Sequence, residues 1–354
     1  MKKKTILFNF LLTILFIFLF LEFLYPIFFK TPKLIYKYHD DRTVTFFPNK
    51  VLYSHTDEFR IKFKTNEFGF NDYKFDNPTD ILILGDSFVE SVQVDKKKHF
   101  AEYIKKEFNV KIAKIGMSGY GNSHYFSNYA KFAELLDPKL VIIINRSNDL
   151  RNNFCDSNTQ NCSKINKLCE INNEDNLRKN IKFLKIDNEN YRFIFTKKEK
   201  KNDIKVKILR NYIDRFQSYY SLRHIYTMYL KKNIINENEI VIKKIKKNKS
   251  ICKQAGDNYY VRKYYNQINN LIYQKIVVTD KRKLLFVNVV PQKNLANTES
   301  LFLTKTFNES SLPYVNFIQN HKFRFKKDSH WNEFGHKEFS DAIINEIKKN
   351  YDIF

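Results

Sequence analysis

The sequence predicts an α/β domain built on a parallel sheet with helical crossovers, carried behind an N-terminal membrane helix. Three observations lead there. Short continuous apolar runs end at turn residues, as Ile81-Leu82-Ile83-Leu84 does before Gly85, the pattern of strands buried on both faces. Helical patterns fill the intervals, and strands alternating with helices pair in parallel. The third observation is a single long apolar stretch within the first 29 residues. A chain of 354 residues can enclose a site within one large domain or two small ones. Its 43% hydrophobic and 16% aromatic content excludes general disorder, and only 7 Gly and 7 Pro exclude a fibrous chain.

Met1-Lys2-Lys3-Lys4 opens the chain and an apolar run from Thr5 to Phe29 follows, interrupted by Asn9, Thr13 and Glu22. A bilayer core needs about 20 apolar residues in helix. The run is too long for the roughly 7–15 residue core of a cleaved signal peptide and ends without a small-residue cleavage site. Residues 1–5 therefore read as a cytoplasmic tail and 6–29 as a transmembrane signal anchor. The three lysines place the remainder on the periplasmic or extracellular side of the cytoplasmic membrane. Glu22 lies past the midpoint, where a carboxylate reaches the outer interface, and reads as tolerated.

Residues 30–78 form an N-terminal apron in which Phe59-Arg60-Ile61-Lys62-Phe63-Lys64 alternates as an edge strand or hairpin does. The first half of the core, 79–150, holds a strand at 81–84, a helix at about 100–108, a strand at 110–115, a helix at about 123–136 and a strand at 140–144. That rhythm stops across 151–255. This basic insertion includes an amphipathic candidate at 204–230 with Ile208, Tyr212, Phe216, Tyr219 and Tyr220 near one face. The second half, 256–354, holds a helix at about 259–277, a strand at 283–290 stopped by Pro291, a short strand near 314–317 and a last helix at about 333–349. Five parallel strands are thus drawn from both sides of the insertion. Cys155, Cys162, Cys169 and Cys252 fit no zinc spacing. Outside the membrane they would allow two disulfides in three connectivities, or remain unpaired thiols.

The residues able to do chemistry follow the strands. Gly85-Asp86-Ser87-Phe88 comes after the first strand, and ligands collect at the carboxyl ends of parallel strands. After the second strand, Gly116-Met117-Ser118-Gly119-Tyr120-Gly121 can bring backbone N–H groups close to a ligand. Asn145-Arg146-Ser147-Asn148-Asp149 after the third adds side-chain amides. Ahead of the last helix, Asp328-Ser329-His330-Trp331-Asn332 sets a carboxylate two residues from an imidazole. Acyl transfer needs a serine activated by a base, a carboxylate to orient that base, and donors for the oxyanion. No metal-ligand cluster, phosphate loop or dinucleotide fingerprint is present, so no cofactor is expected.

The ordered set Gly85-Asp86-Ser87, Gly119, Asn148 and Asp328/His330 resembles the SGNH (GDSL-type) hydrolase superfamily. The resemblance extends to Asn66-Glu67-Phe68-Gly69-Phe70-Asn71 upstream and His330-Trp331-Asn332-x-x-Gly335-His336 downstream, covering roughly 66–151 and 259–354. It implies a three-layer α/β/α, flavodoxin-like fold. It also implies Ser87 as nucleophile, His330 as base and Asp328 as its partner. The Ser87 and Gly119 N–H groups and the Asn148 side chain would make the oxyanion hole. Two departures stand out. Lys327 occupies the usual acid position, and Asp328 lies one residue nearer the histidine, as in envelope polysaccharide acetyltransferases related to this superfamily. Arg146 and Ser147 stand where the third block usually has Gly-x, so a basic side chain near the site would favour an anionic group.

Competing readings attach to neighbouring residues. Gly116 could replace Gly119 as donor, and His336 could replace His330 as base. Asp86 fits a turn-holding role, Asn332 and His336 fit the start of the last helix, and His124 fits a structural or rim position. The expected function is cleavage of acyl esters through an acyl-serine, on an envelope glycan or a lipid. O-acyl transfer to polysaccharide with the same residues, or glycan or partner binding without catalysis, are the alternatives. A histidine base would lose activity on protonation, near pH 6–7. The net charge of +24 comes from 62 Lys and Arg against 38 Asp and Glu. About half of it falls in 164–249, with 23 basic and 10 acidic residues. Lys, Asn, Ile, Phe and Tyr are raised together, as biased base composition does. An anchored domain has no access to nucleic acid, so an acidic glycan or anionic lipid surface is the expected partner of any functional excess.

Overall fold

A computed structural model describes residues 2–29, 33–39, 43–153, 186–187, 192–193, 213, 216–226, 259–291 and 298–352. The four cysteines and most of the insertion lie outside the described residues. Helix α1 (Lys2–Leu19), a π-helical turn (Phe20–Leu24) and α2 (Tyr25–Phe29) run on from one another. The stretch Lys4–Phe29 is long and apolar enough to cross a membrane, and most of it is exposed.

The apron contains two antiparallel pairs. Strand β1 (Tyr36–Tyr38) pairs with β2 (Val44–Phe46), and β3 (Val51–His55) pairs with β4 (Arg60–Lys64), Leu52 opposite Phe63. The alternation at 59–64 is therefore the second arm of a hairpin.

The core is a five-stranded, all-parallel sheet of β5 (Ile81–Gly85), β6 (Ile112–Gly116), β7 (Leu140–Asn145), β10 (Lys283–Pro291) and β11 (Tyr314–Gln319). The short pair β8 (Ile186–Asp187) and β9 (Arg192–Phe193) stands apart from it. The sheet order is β11-β10-β7-β5-β6. Numbered within the core this is 2-1-3-4-5, the doubly wound flavodoxin-like order, whose direction reverses between β5 and β7. The second strand starts two residues later than its apolar run, because Asn109 at φ 51° closes the preceding helix first.

Helices cover both faces. Ile81 and Ile83 pack in one layer with Phe100 and Ile104 of α4 (Phe100–Phe108) and with Phe339 and Ile343 of the last helix, α10 (Glu333–Asn350). Leu82 and Leu84 face the opposite layer. There they meet Phe126 and Tyr129 of α5 (Asn122–Leu136), Ile268 of α8 (Tyr259–Tyr273) and Phe307 of α9 (Thr298–Asn308). Between β5 and the rest of the chain lies α3 (Ser87–Glu90), and after β7 comes α6 (Asp149–Asn152).

Within the insertion, α7 spans Gln217–Ile225. Phe216 is its extended N-cap and is exposed, so the aromatic face expected over 204–230 is not continuous through it; the rest of that stretch lies outside the described residues. Helix α7 packs on the π-helical turn: Ser221 Oγ donates to the Leu21 carbonyl at 2.7 Å and the Ser218 N–H donates to Glu22 Oε2 at 2.6 Å. Glu22 therefore holds a helix start, a partner that its position in the apolar run did not reveal.

Candidate active site

The site lies at the carboxyl edge of β5, β6 and β7, at the reversal of strand order. Strand β5 ends at Gly85, and Asp86 turns the chain into α3 by accepting from the Phe88 N–H at 3.0 Å. Ser87 is thereby the first helical residue. Helix α3 sits hard against the β6 end, where a Cβ on Gly116 would come within 2.4 Å of the Glu90 nitrogen. That contact keeps Gly116 below the nucleophile turn. Gly119 lies further on, at φ 85°, a setting that glycine adopts without strain. The N–H groups of Ser87 and Gly119 make no backbone hydrogen bond among the described residues.

Asn148 follows β7, and its Nδ2 donates to Asp86 Oδ2 at 3.0 Å, joining the ends of the two strands that flank the reversal. Asp149 is fully buried and accepts from the Arg146 N–H at 2.9 Å. Burial, followed by the Asp86 charge, pushes its carboxyl well above the ordinary range. Asn152 Nδ2 donates to the Tyr120 carbonyl at 2.8 Å and ties this turn to the glycine loop.

The last part of the site comes from the loop ahead of α10. His330 Nε2 lies 2.7 Å from Ser87 Oγ, and His330 Nδ1 lies 2.5 Å from Asp328 Oδ1. Ser329, between them, stands at φ 70°, and its N–H donates to the Phe325 carbonyl. This left-handed step folds two residues back so that Asp328 and His330 lie side by side. Burial acts to raise the Asp328 carboxyl, but the hydrogen bond and charge of His330, with Arg324, outweigh it and hold the group below its usual value. Trp331 is 1% exposed and packs on Phe339 and Phe88, anchoring the residue next to the imidazole. The Phe88 ring in turn lies 4.6 Å from the His330 ring.

Of the residues expected at one edge of the sheet, Ser87, His330 and Asp328 are joined in a single hydrogen-bonded chain, Asn148 bonds Asp86 beside them, and Gly119 lies in the loop after β6. Lys327 is exposed and pairs with Asp57. His336 is buried, bonded to Ser91 Oγ at 2.8 Å, and driven by burial to about 3, so it stays neutral and away from Ser87. Asn332 caps α10 by accepting from Phe334 and Gly335. His124 Nδ1 accepts from the Gly121 N–H inside the glycine loop. The stretch 66–71 is a brace. Asn66 Oδ1 accepts from Phe68 and Phe70, and Asn71 Nδ2 donates to the carbonyls of Glu90 and Ser91, where α3 ends.

Two carboxylates that support the site escaped the sequence reading. Glu58, in the β3–β4 turn, accepts from the N–H groups of Lys326, Lys327 and Asp328 at 2.7, 2.8 and 2.9 Å. Glu90, buried, accepts from both the N–H and the hydroxyl of Ser118, next to Gly119. Nothing local marks either one, since each partner is distant in sequence. Among the described residues no group of three or more His, Cys, Asp or Glu is arranged to hold a metal ion.

The fold and site together define a parallel α/β protein in which serine, histidine and aspartate meet at the carboxyl edge of the sheet. No protein family matches the sequence, and no curated protein does. Solved structures with some likeness include a two-domain esterase active on acetylated mannans, at 13% identity and TM-score 0.35, aligned over 78% of this chain and 50% of that one. An acetyl xylan esterase from the rumen bacterium Butyrivibrio proteoclasticus aligns at 8% identity and TM-score 0.34, over 84% and 73% of the two chains. A family 3 carbohydrate esterase from Clostridium thermocellum aligns at 10% identity and TM-score 0.33, over 76% and 98%. The chain thus spans half the length of the two-domain esterase. Superpositions this loose assign no function, and the reading below rests on side-chain geometry.

Proposed function

We propose that the protein is a serine-dependent hydrolase of the SGNH type that cleaves acyl esters, with O-acyl groups on an envelope glycan as substrate. The observation that carries this reading is the unbroken hydrogen-bond chain from Ser87 Oγ through His330 to Asp328. With Asp328 accepting from Nδ1–H, the Nε2 lone pair faces the serine hydroxyl and can take its proton. Ser87 Oγ then bonds to the ester carbonyl carbon, and the carbonyl oxygen becomes an oxyanion. The N–H groups of Ser87 and Gly119 and the Asn148 amide are the donors for it. Asn148 gives one N–H to Asp86 and keeps the other for this purpose. Collapse breaks the bond to the alcohol, which leaves with the His330 proton, and acyl-Ser87 remains. Water, giving a proton to His330, attacks that ester; the bond to Ser87 Oγ breaks, His330 returns the proton to Oγ, and the carboxylic acid leaves.

A second reading is favoured by the one-residue spacing of Asp328 and His330, the variant seen in related acetyltransferases: a sugar hydroxyl takes the place of water and receives the acyl group. In both readings the Lys4–Phe29 helix anchors the chain in the cytoplasmic membrane with residues 30–354 outside it.

A fluorophosphonate probe on the full chain in detergent tests the catalytic reading. Labelling at pH 7–8 that disappears in Ser87→Ala is expected, and an unlabelled wild type, or equal labelling of the variant, refutes it. Products formed from an acyl donor and an envelope glycan then separate the two readings, free acid marking hydrolysis and acylated glycan marking transfer.

A further inference from the structure

Arg146 is placed unlike any other charged group near Ser87. Its side chain is 8% exposed, yet Nε and Nη1 are buried without a hydrogen-bond partner among the described residues. Its Cζ lies 3.4 Å from the centroid of the Phe88 ring, the same ring that packs against His330. Burial lowers its pKa only to about 10, so it remains charged at neutral pH. A guanidinium is a fork of five donors, and leaving buried donors unmet is costly. The nearest carboxylates do not meet them. Asp86 is taken up by the Phe88 N–H and Asn148, and Asp149 bonds the Arg146 backbone rather than its side chain.

A second guanidinium is tied to the loop that carries His330. Arg324 Nε donates to the Ser329 carbonyl, and its Nη1 lies 3.3 Å from His321 Nδ1. His321 is lowered first by burial and then by the charges of Arg324 and Arg146. Asp328, on the same loop, is committed to His330. Arg146 thus keeps two donors unmet among the described residues, and fork-shaped donors match the two oxygens of a carboxylate or phosphate.

We propose that Arg146 and Arg324 form an oxyanion-binding subsite beside Ser87, so that the ester cleaved is carried on an acidic sugar whose carboxylate or phosphate sits next to the scissile group. This rests on the esterase reading and names the substrate class within it. The anion would fill the unmet donors of Arg146, and binding would place the ester carbonyl over Ser87 Oγ.

The test compares three esters on the full chain in nonionic detergent: neutral methyl 4-acetoxybenzoate, 4-acetoxybenzoate and 4-acetoxyphenyl phosphate. Each kcat/KM is divided by the rate of that ester with hydroxide, which removes leaving-group reactivity. The anionic esters are expected to exceed the neutral one by about tenfold or more, the scale of a charge-assisted hydrogen bond. Arg146→Gln should lower that ratio by about tenfold, Arg146→Lys should retain part of it, and added NaCl should erode it. The carboxylate and phosphate arms show which oxyanion fits better. A ratio near one in the wild type, or a ratio that survives both Arg146→Gln and Arg324→Gln, overturns the subsite.

Binding provides a readout that does not need turnover. Ser87→Ala should bind 4-acetoxybenzoate more tightly than its methyl ester, and Arg324→Gln in that background should remove the difference; equal binding of the two overturns the proposal. Failure of the esterase reading looks different: no fluorophosphonate labelling and no turnover of any of the three esters, whatever the binding experiment shows.

Discussion

Ser329 stands at φ 70°, and this single backbone setting brings Asp328 Oδ1 within 2.5 Å of His330 Nδ1. A branched side chain resists that setting by about 1–2 kcal/mol. Ser329→Val should therefore lower both the melting temperature and kcat, whereas Ser329→Gly should keep kcat near wild type in steady-state ester hydrolysis. Glu58 works on the same loop from outside, and Glu58→Ala strips the acceptor from three N–H groups at once. We expect kcat to fall more than tenfold with a smaller change in KM, because Asp328 loses its support while Ser87 and the glycine loop are held by other contacts. Asn148→Ala should lower kcat by roughly 10²–10³, the usual cost of one oxyanion donor. At this scale the chemistry-bearing residues were legible in the sequence, because strand ends announce themselves by apolar runs stopping at Gly85, Gly116 and Asn145. Glu58 was not, because what defines it is three backbone partners almost 270 residues away.

Among the elements, α3 and the glycine loop are coupled through Glu90. Burial, only partly offset by the two Ser118 hydrogen bonds, raises the Glu90 carboxyl to about 7. The folded state therefore favours the protonated form. Its contribution to stability is fully present below the unfolded value of 4.5 and is lost as pH rises through 7. Glu90→Gln mimics the protonated state, so its melting temperature should rise relative to wild type between pH 5 and pH 8, by the equivalent of a few kcal/mol. A constant difference across that range would show that Glu90 is not buried as described. The parallel strands and the long helices were readable from periodicity. Helix α9 was not: Thr298, Thr304 and Thr306 give its segment a weak helical pattern, and burial of Leu303 and Phe307 against the sheet stabilises it instead. The π-helical turns at Phe20–Leu24 and Gln274–Thr279 carry no sequence pattern of their own.

For the molecule as a whole, the insertion and the apolar N-terminal helix meet through α7. The Ser218 N–H is one of the four that a helix start leaves without an intrahelical acceptor, and Glu22 supplies one. Glu22→Ala should cost about 1 kcal/mol of local stability, typical of a lost helix cap, and limited proteolysis in detergent should cut faster within 216–226. The charge of +24 divides along the same lines. About half belongs to the insertion, outside the elements that carry the candidate site.

The Glu58 clasp also orders events in time. Ser87 and Gly119 are synthesised more than 200 residues ahead of Asp328 and His330. The hairpin that receives them is made early and waits with its carboxylate unfilled. On the proposed mechanism a nascent or truncated chain holds a serine with no base, and hydrolytic competence arrives as a single late event when the C-terminal loop docks. Unfinished copies are therefore inert toward esters in whichever compartment they stall.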